Sequence, residues 1–321
     1  MPVLGDFPYA FLVTLAVTLG LFFGSFLNVV IHRVPRDESV VFPGSRCPGC
    51  GKPIAAWDNL PVVSWLFLRG RARCCKTPIS ARYPLIEALG GGAGWAVLET
   101  RVLALSPESA WTVALGTFAL YLALVLGLIA AAFIDLEHMI LPDAITLGGA
   151  ALGLATAVWR DDVTLGGAAI GSAIGFLLVW VPFDLLYRLV RGHPGMGLGD
   201  AKLMLLAGAW FGWPGAVFAL LAGSVQGTVA TVAVYVARGR IDEPEAVTRE
   251  REEMLAELDA AEGDEKERLR AELEQDPIFN PPEEGLGRAR VPFGPFLVLA
   301  IVEYALFGAW LREAFGTWFV V

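Results

Sequence analysis

An all-α, polytopic membrane protein is the fold class this sequence predicts, and three observations carry it. Of 321 residues, 55% are hydrophobic and 18% charged, with a mean hydropathy of +0.58. Soluble domains seldom reach that balance. The apolar residues also gather into runs about as long as a bilayer-spanning helix. Finally, the charge is uneven. Residues 241–290 hold 17 acids and 7 bases, against 16 and 17 in the rest, so the net charge of −9 belongs to one segment. No basic stripe points to a nucleic-acid partner. The expected partner of most of the surface is the lipid bilayer.

The runs predict about eight spans, near 9–31, 84–105, 111–134, 143–159, 164–187, 201–212, 214–237 and 292–311. The first, "FLVTLAVTLGLFFGSFLNVVI", lacks a basic flank before it and a small-residue cleavage site after it. It reads as a retained span and not a signal peptide. The sixth is short and rich in Trp and Gly, which suits a tilted or partial span buried against its neighbours. Five regions follow: a first span within 1–31, a cysteine loop at 32–83, a membrane core at 84–237, an acidic insertion at 238–290, and a last span with its tail at 291–321.

Orientation follows from the basic residues. Loops 32–83, 135–142, 188–200 and 238–291, with their interfacial neighbours, carry 21 of the 24 Lys and Arg. The opposite side has only Arg101, Arg160 and Arg312. The basic side is expected to be cytoplasmic, with both termini outside.

All four cysteines lie in the first of these loops: "CPGC" at Cys47–Cys50 and "CC" at Cys74–Cys75. C-x-x-C on a Pro-Gly turn aims two thiolates at one metal, and a second pair about 25 residues on completes a tetrahedral zinc site. A reducing compartment argues against structural disulfides. Adjacent side chains tend to diverge, so Cys74 and Cys75 are an awkward pair for one ion. The alternative is a loop folded through Trp57, Leu60, Val62, Trp65, Leu66 and Phe67, with idle thiols.

The third span ends in "AAFIDLEHMILPD". Asp135 is its first charge, and Asp143 follows on a Leu-Pro-Asp turn. Asp200 closes the glycine turn "GMGLGD", whose Gly195, Gly197 and Gly199 strip side chains from around the carboxylate and permit close backbone approach. Asp135 and Asp200 are therefore expected at similar depth on one face. A single acid at a helix end is usually a dipole partner. Two acids within reach cannot both ionise easily and share one proton. One can then activate water while the other donates to a peptide carbonyl, as in aspartic proteases. Lys202, two residues beyond Asp200, reads as a side chain snorkelling to lipid headgroups or as a partner for the carboxylate. Glu87, early in the second span, reads as structural or as a substrate contact. A proton-coupled transporter is the rival from another class, but no internal repeat supports it. A non-catalytic assembly scaffold is another rival, against which both carboxylates argue.

Six blocks in order resemble one family: "GSFLNVVIHRVPR" (24–36), "CPGC" (47–50), "PISARYPLIEAL" (78–89), "IDLEHMILPDAITL" (134–147), "GMGLGDAKLMLLAGAWFG" (195–212) and "VPFGPFL" (291–297). They are similar to the type IV prepilin peptidases, bacterial members of the GxGD aspartic proteases. The resemblance implies an inner-membrane enzyme that removes the short basic leader of type IV prepilins and type II secretion pseudopilins at the cytoplasmic face. It implies Asp135 and Asp200 as the catalytic pair and a turn role for Asp143. It also implies methylation of the new N-terminus with S-adenosylmethionine, a peptidase without that activity being the alternative. One departure stands out. Where the family usually has a second C-x-x-C before "PIS", Ala72 takes the first cysteine's place, and Cys74 stands beside Cys75.

The acidic insertion carries Val247, Met254, Leu255 and Leu258 on one helical stripe and Leu269 and Leu273 on another, interrupted by Gly263. A charged helical hairpin is expected. It reads as a solvated excursion or, alternatively, as a docking surface for the leader or for pilus-assembly proteins. No feature indicates an oligomeric state.

Overall fold

The computed structural model describes residues 1–191, 197–239, 245–273, 279 and 291–315. Those residues form helices and turns, with isolated bridges but no strand. Two compact units emerge. One comprises Met1–Ala131 with the chain from Val302 onward, and the other Ala132–Ile301.

The first unit holds α1 (Tyr9–Arg33), the short α2 (Val63–Phe67), α3 (Arg82–Val97) with a π-helical continuation at Leu98–Val102, and most of α4 (Trp111–His138). α1 and α3 meet through small residues. A Cβ at Gly20 would lie 2.2 Å from the Gly90 carbonyl, and one at Gly94 would lie 2.2 Å from that of Ala16. Only glycine lets the two backbones come this close, a packing mode suited to lipid, where no hydrophobic effect drives helices together. Arg101 donates to the Ala305 carbonyl at 2.6 Å and lies over the Tyr121 ring. The cysteine loop does not fold around all its apolar residues. Trp65 turns inward, but Trp57, Leu66 and Phe67 are exposed.

The second unit holds the end of α4, α5 (Asp143–Thr156), α6 (Leu165–Val179), a π-helical turn at Trp180–Leu185, α7 (Leu186–Arg191), α8 (Leu198–Arg238) and the start of α11 (Gly294–Phe315). α8 is not one rod. Gly212 leaves the helical region with φ 68° and ψ −173°, and Pro214 follows. A Cβ on Gly175 would sit 2.2 Å from the Met204 carbonyl and 3.2 Å from the Ala216 Cβ. A straight helix would separate positions 204 and 216 by about 18 Å, so the chain reverses at Gly212. The two limbs correspond to the sixth and seventh expected spans. Arg160 serves the carbonyls freed there and nearby, donating to Trp210 (2.6 Å), Ala209 (3.2 Å) and Gly153 (2.9 Å).

Among the described residues, five helices are long and apolar enough to cross a membrane: Tyr9–Arg36, Trp111–His138, Leu165–Val190, Leu198–Arg238 and Gly294–Leu311. The expected eight is not reached by that measure. α3 is not among the five, Asp143–Trp159 is a shorter apolar helix, and the sixth and seventh spans run on as one helical stretch through the bend. The third span also ends later than expected, so Asp135 lies in the last turn of α4 and not beyond it.

The insertion contains α9 (Glu245–Ala260) and α10 (Gly263–Leu273), with Gly263 at φ 59° between them. Val247 and Leu273 are buried. Each belongs to one of the two expected stripes.

Candidate active site and thiol cluster

α4 terminates where Met139 adopts φ 53° and returns its N–H to the Asp135 carbonyl at 2.9 Å. That cap leaves the Asp135 side chain on the final turn, only 7% exposed. The Gly294 N–H, at the start of α11, donates to its carboxylate. A Cβ at Gly294 would fall 2.5 Å from Asp135 Oδ2, so a glycine is required for this contact.

Asp200 lies in the first turn of α8, whose N-cap is Gly197, and its own N–H bonds to the Gly197 carbonyl at 3.1 Å. An acid in a first turn complements the helix dipole. The Asp200 carboxylate folds back toward Gly197, 3.7 Å from where a Cβ would stand there. Leu141 joins the two halves of the site. It packs 3.1 Å from a Cβ position on Gly199 and 3.4 Å from one on Gly294. The carboxylates of Asp135 and Asp200 are close enough to interact electrostatically. Gly195 lies outside the described residues.

Asp143, on the first turn of α5, forms an ion pair with Lys202 at 2.6 Å. Lys202 therefore ties α5 to the start of α8. Glu87 accepts from Ser25 Oγ at 2.8 Å and from the Val62 N–H at 2.6 Å, joining α1, the cysteine loop and α3. Sequence reasoning missed Gly294 and Leu141 as site residues. The only signal for either was membership in the "VPFGPFL" and "LPD" blocks, with no chemistry attached.

The four thiols converge. Cys47 Sγ lies 3.5 Å from Cys75 Sγ, Cys50 Sγ 3.3 Å from Cys74 Sγ, and all four sulfurs within 4.8 Å of one another. Tetrahedral zinc with ligands at about 2.3 Å separates its sulfurs by about 3.8 Å, so the donor set fits one metal ion. Two matching turns build it. In the first, Cys47 N–H bonds to the Lys52 carbonyl and Gly51 N–H to that of Cys47, both at 2.9 Å, beneath an Arg46–Pro53 bridge. In the second, Ala72 N–H bonds to the Thr77 carbonyl and Lys76 N–H to that of Ala72, also at 2.9 Å, beneath an Arg71–Pro78 bridge. Ala72 thus occupies the place of Cys47, and Cys75 that of Cys50. Cys74 takes the place of Gly49 and reaches inward from the third position of its turn. The expected divergence of adjacent cysteines does not keep them apart here: the Cys74 and Cys75 sulfurs lie 3.9 Å from each other. Hydrogen bonds from Thr77 pull the Cys75 thiol down to about 6, and those with Cys50 and Cys47 push the Cys74 thiol up to about 12.

Two family models match the chain: Bacterial Peptidase A24 N-terminal domain over residues 18–100, and Type IV leader peptidase family over residues 122–232. The chain is similar to curated proteins named "Prepilin leader peptidase/N-methyltransferase". The one from Pseudomonas putida is 41% identical over 256 residues, covering 73% of this chain and 84% of that protein. The one from Myxococcus xanthus (strain DK1622) is 37% identical over 318 residues, covering 92% and 90%. The one from Burkholderia pseudomallei (strain 1026b) is 38% identical over 256 residues, covering 71% and 79%. No solved structure matches.

Proposed function

The chain belongs to the type IV leader peptidase family, and from that premise we propose that it cleaves the leader of prepilins and methylates the exposed N-terminus. The proposed catalytic pair is Asp135 and Asp200. The observation that carries this reading is their gathering, from helices far apart in the chain, around Leu141 and two glycines. The pair holds one proton. The ionised carboxylate takes a proton from water as its oxygen attacks the scissile carbonyl, and the protonated one donates to the carbonyl oxygen. Collapse breaks the C–N bond, with the proton passing to the leaving amine. Gly197, Gly199 and Gly294 leave room for an extended peptide backbone beside the acids. The Asp143–Lys202 pair holds the starts of α5 and α8 together. Gly195 belongs to the proposed glycine set on the sequence alone.

S-adenosylmethionine supplies the methyl group for the second reaction, in which the new amine must be unprotonated and in line with that methyl. The proposed metal is structural zinc held by Cys47, Cys50, Cys74 and Cys75. It staples two turns that would otherwise have little core. Type II secretion pseudopilins are further proposed substrates. We place the enzyme in the bacterial inner membrane with the site facing the cytoplasm, on the distribution of Lys and Arg.

Incubation of the purified, membrane-reconstituted enzyme with a prepilin and S-adenosylmethionine, read by mass spectrometry, tests both activities. Loss of the leader followed by a gain of about 14 Da, the mass of one methylene added by methyl transfer, is expected. An intact prepilin would overturn the reading, and a cleaved but unmethylated product would overturn its second half.

A further inference from the structure

Among the described residues, the cysteine loop carries exposed apolar side chains. Trp57 on the short helical turn Ala56–Asn59 is 68% exposed, and Leu66 and Phe67 on α2 are 60% and 84% exposed. Trp65, between them in sequence, is turned away, donating from Nε1 to the Ile79 carbonyl at 3.0 Å and lying against Gly70. The exposed face is therefore a selected one and not the outside of a loosely folded loop.

Its height is set by Glu87. That carboxylate lies five residues inside α3, about 7.5 Å from the helix start, and Ser25 lies deeper still from the end of α1. Glu87 accepts the Val62 N–H at 2.6 Å. Val62 is held at φ 60° and ψ −49°, and Val63 N–H bonds to the Pro61 carbonyl at 2.6 Å. This is a γ-turn of the rare positive-φ kind, strained for a β-branched residue. Such strain persists only where its surroundings over-determine it. Here the carboxylate holds Val62 beside α3, more than one turn inside that helix's start, which brings the loop close alongside the end of the membrane-length α1.

The loop's charge fits the same place. Between 40 and 81 there are six Lys or Arg and one acid, Asp58, itself paired with Arg73 at 2.8 Å. We propose that this loop is a lipid-surface module: Trp57, Leu66 and Phe67 insert into the interfacial layer, and the basic residues lie over anionic headgroups. Aromatic and aliphatic side chains backed by cations are the composition that binds this layer. The metal turns are thereby held against the membrane face.

The test uses the full chain in nanodiscs of phosphatidylcholine with phosphatidylglycerol. A photo-reactive benzoylphenylalanine replaces Phe67 in one variant and Leu66 in another, and metal content per chain reports that each loop stays folded. Illumination is expected to attach phospholipid at both positions, detected by mass spectrometry. Amide exchange over 56–68 in the unmodified chain is expected to be several-fold slower in these discs than in phosphatidylcholine alone. Adducts formed only with added prepilin would make the face a protein-docking surface and overturn the proposal. An absence of lipid adducts at both positions in metal-loaded protein, or exchange indifferent to lipid charge, would do so as well.

Discussion

The thiol cluster and the carboxylate site are both gatherings of a few reactive groups, but they are built in opposite ways. The thiols sit on two turns whose hydrogen bonds are internal, each closed within eight residues by its own bridge. The carboxylates sit on helix ends that have no local reason to meet. Asp135 is oriented by Gly294 and Asp200 by its glycine turn, with Leu141 between. A locally closed turn still brings a displaced cysteine to the cluster, since Cys74 Sγ lies 3.3 Å from Cys50 Sγ. A site assembled by packing has less room, because a methyl added at Gly294 would crowd the Asp135 carboxylate.

The largest expected effect tests the packed site. Asp135→Asn or Asp200→Asn should each lower cleavage by about 10²–10⁴-fold or more, with metal content unchanged. The double variant should be no worse than either single one, as expected for residues acting as a unit. Multiplying losses in the prepilin assay would separate the two acids. Gly294→Ala comes next. Its Cβ would meet Asp135 Oδ2 at 2.5 Å, so cleavage should fall by about 10- to 100-fold, the scale on which misplaced catalytic groups lose rate. Wild-type turnover in this variant would remove Gly294 from the site.

The thiol site should respond differently. Cys47→Ser with Cys50→Ser should abolish metal binding and lower methylation more than cleavage, both read by mass spectrometry alongside metal analysis. An equal fall in the two activities would dissolve the distinction between the regions. Ala72→Cys should tighten metal binding by roughly tenfold if the Cys47-like position is the better ligand site, a second-order effect on the scale seen for perturbed metal sites. A competition titration with a chelator measures it. The smallest effect belongs to Lys202→Met. Breaking a partly exposed pair with Asp143 should cost about 0–1 kcal/mol, seen as a small shift in thermal unfolding with cleavage largely kept.

How much of this was legible in the sequence follows the same division. Cys47 and Cys50 announce themselves by spacing on a Pro-Gly turn, and Asp200 by its glycines. Asp135 and Asp143 stand out as first charges beside apolar runs. Adjacency makes Cys74 an awkward donor on paper, whereas the turn that carries it brings its sulfur to 3.3 Å from that of Cys50. The pairing of Lys202 with Asp143 has no local signal, because the two lie 59 residues apart on different helices. The count of spans differed because composition marks apolar length, whereas Gly212 and Pro214 decide where a continuous helical stretch turns back.

The chain by itself determined the membrane class, the helical segments, the metal-binding spacing of the first turn and the candidate acids, since hydropathy and short-range spacing are properties of neighbouring residues. Only the tertiary structure decided that Gly294 faces Asp135, that Leu141 touches both Gly199 and Gly294, and that Glu87 pins the cysteine loop. Each of those depends on which helices lie side by side, and that follows from close packing at small residues such as Gly20, Gly90 and Gly171. A glycine announces that something can approach, and the partner that does so is chosen by the fold.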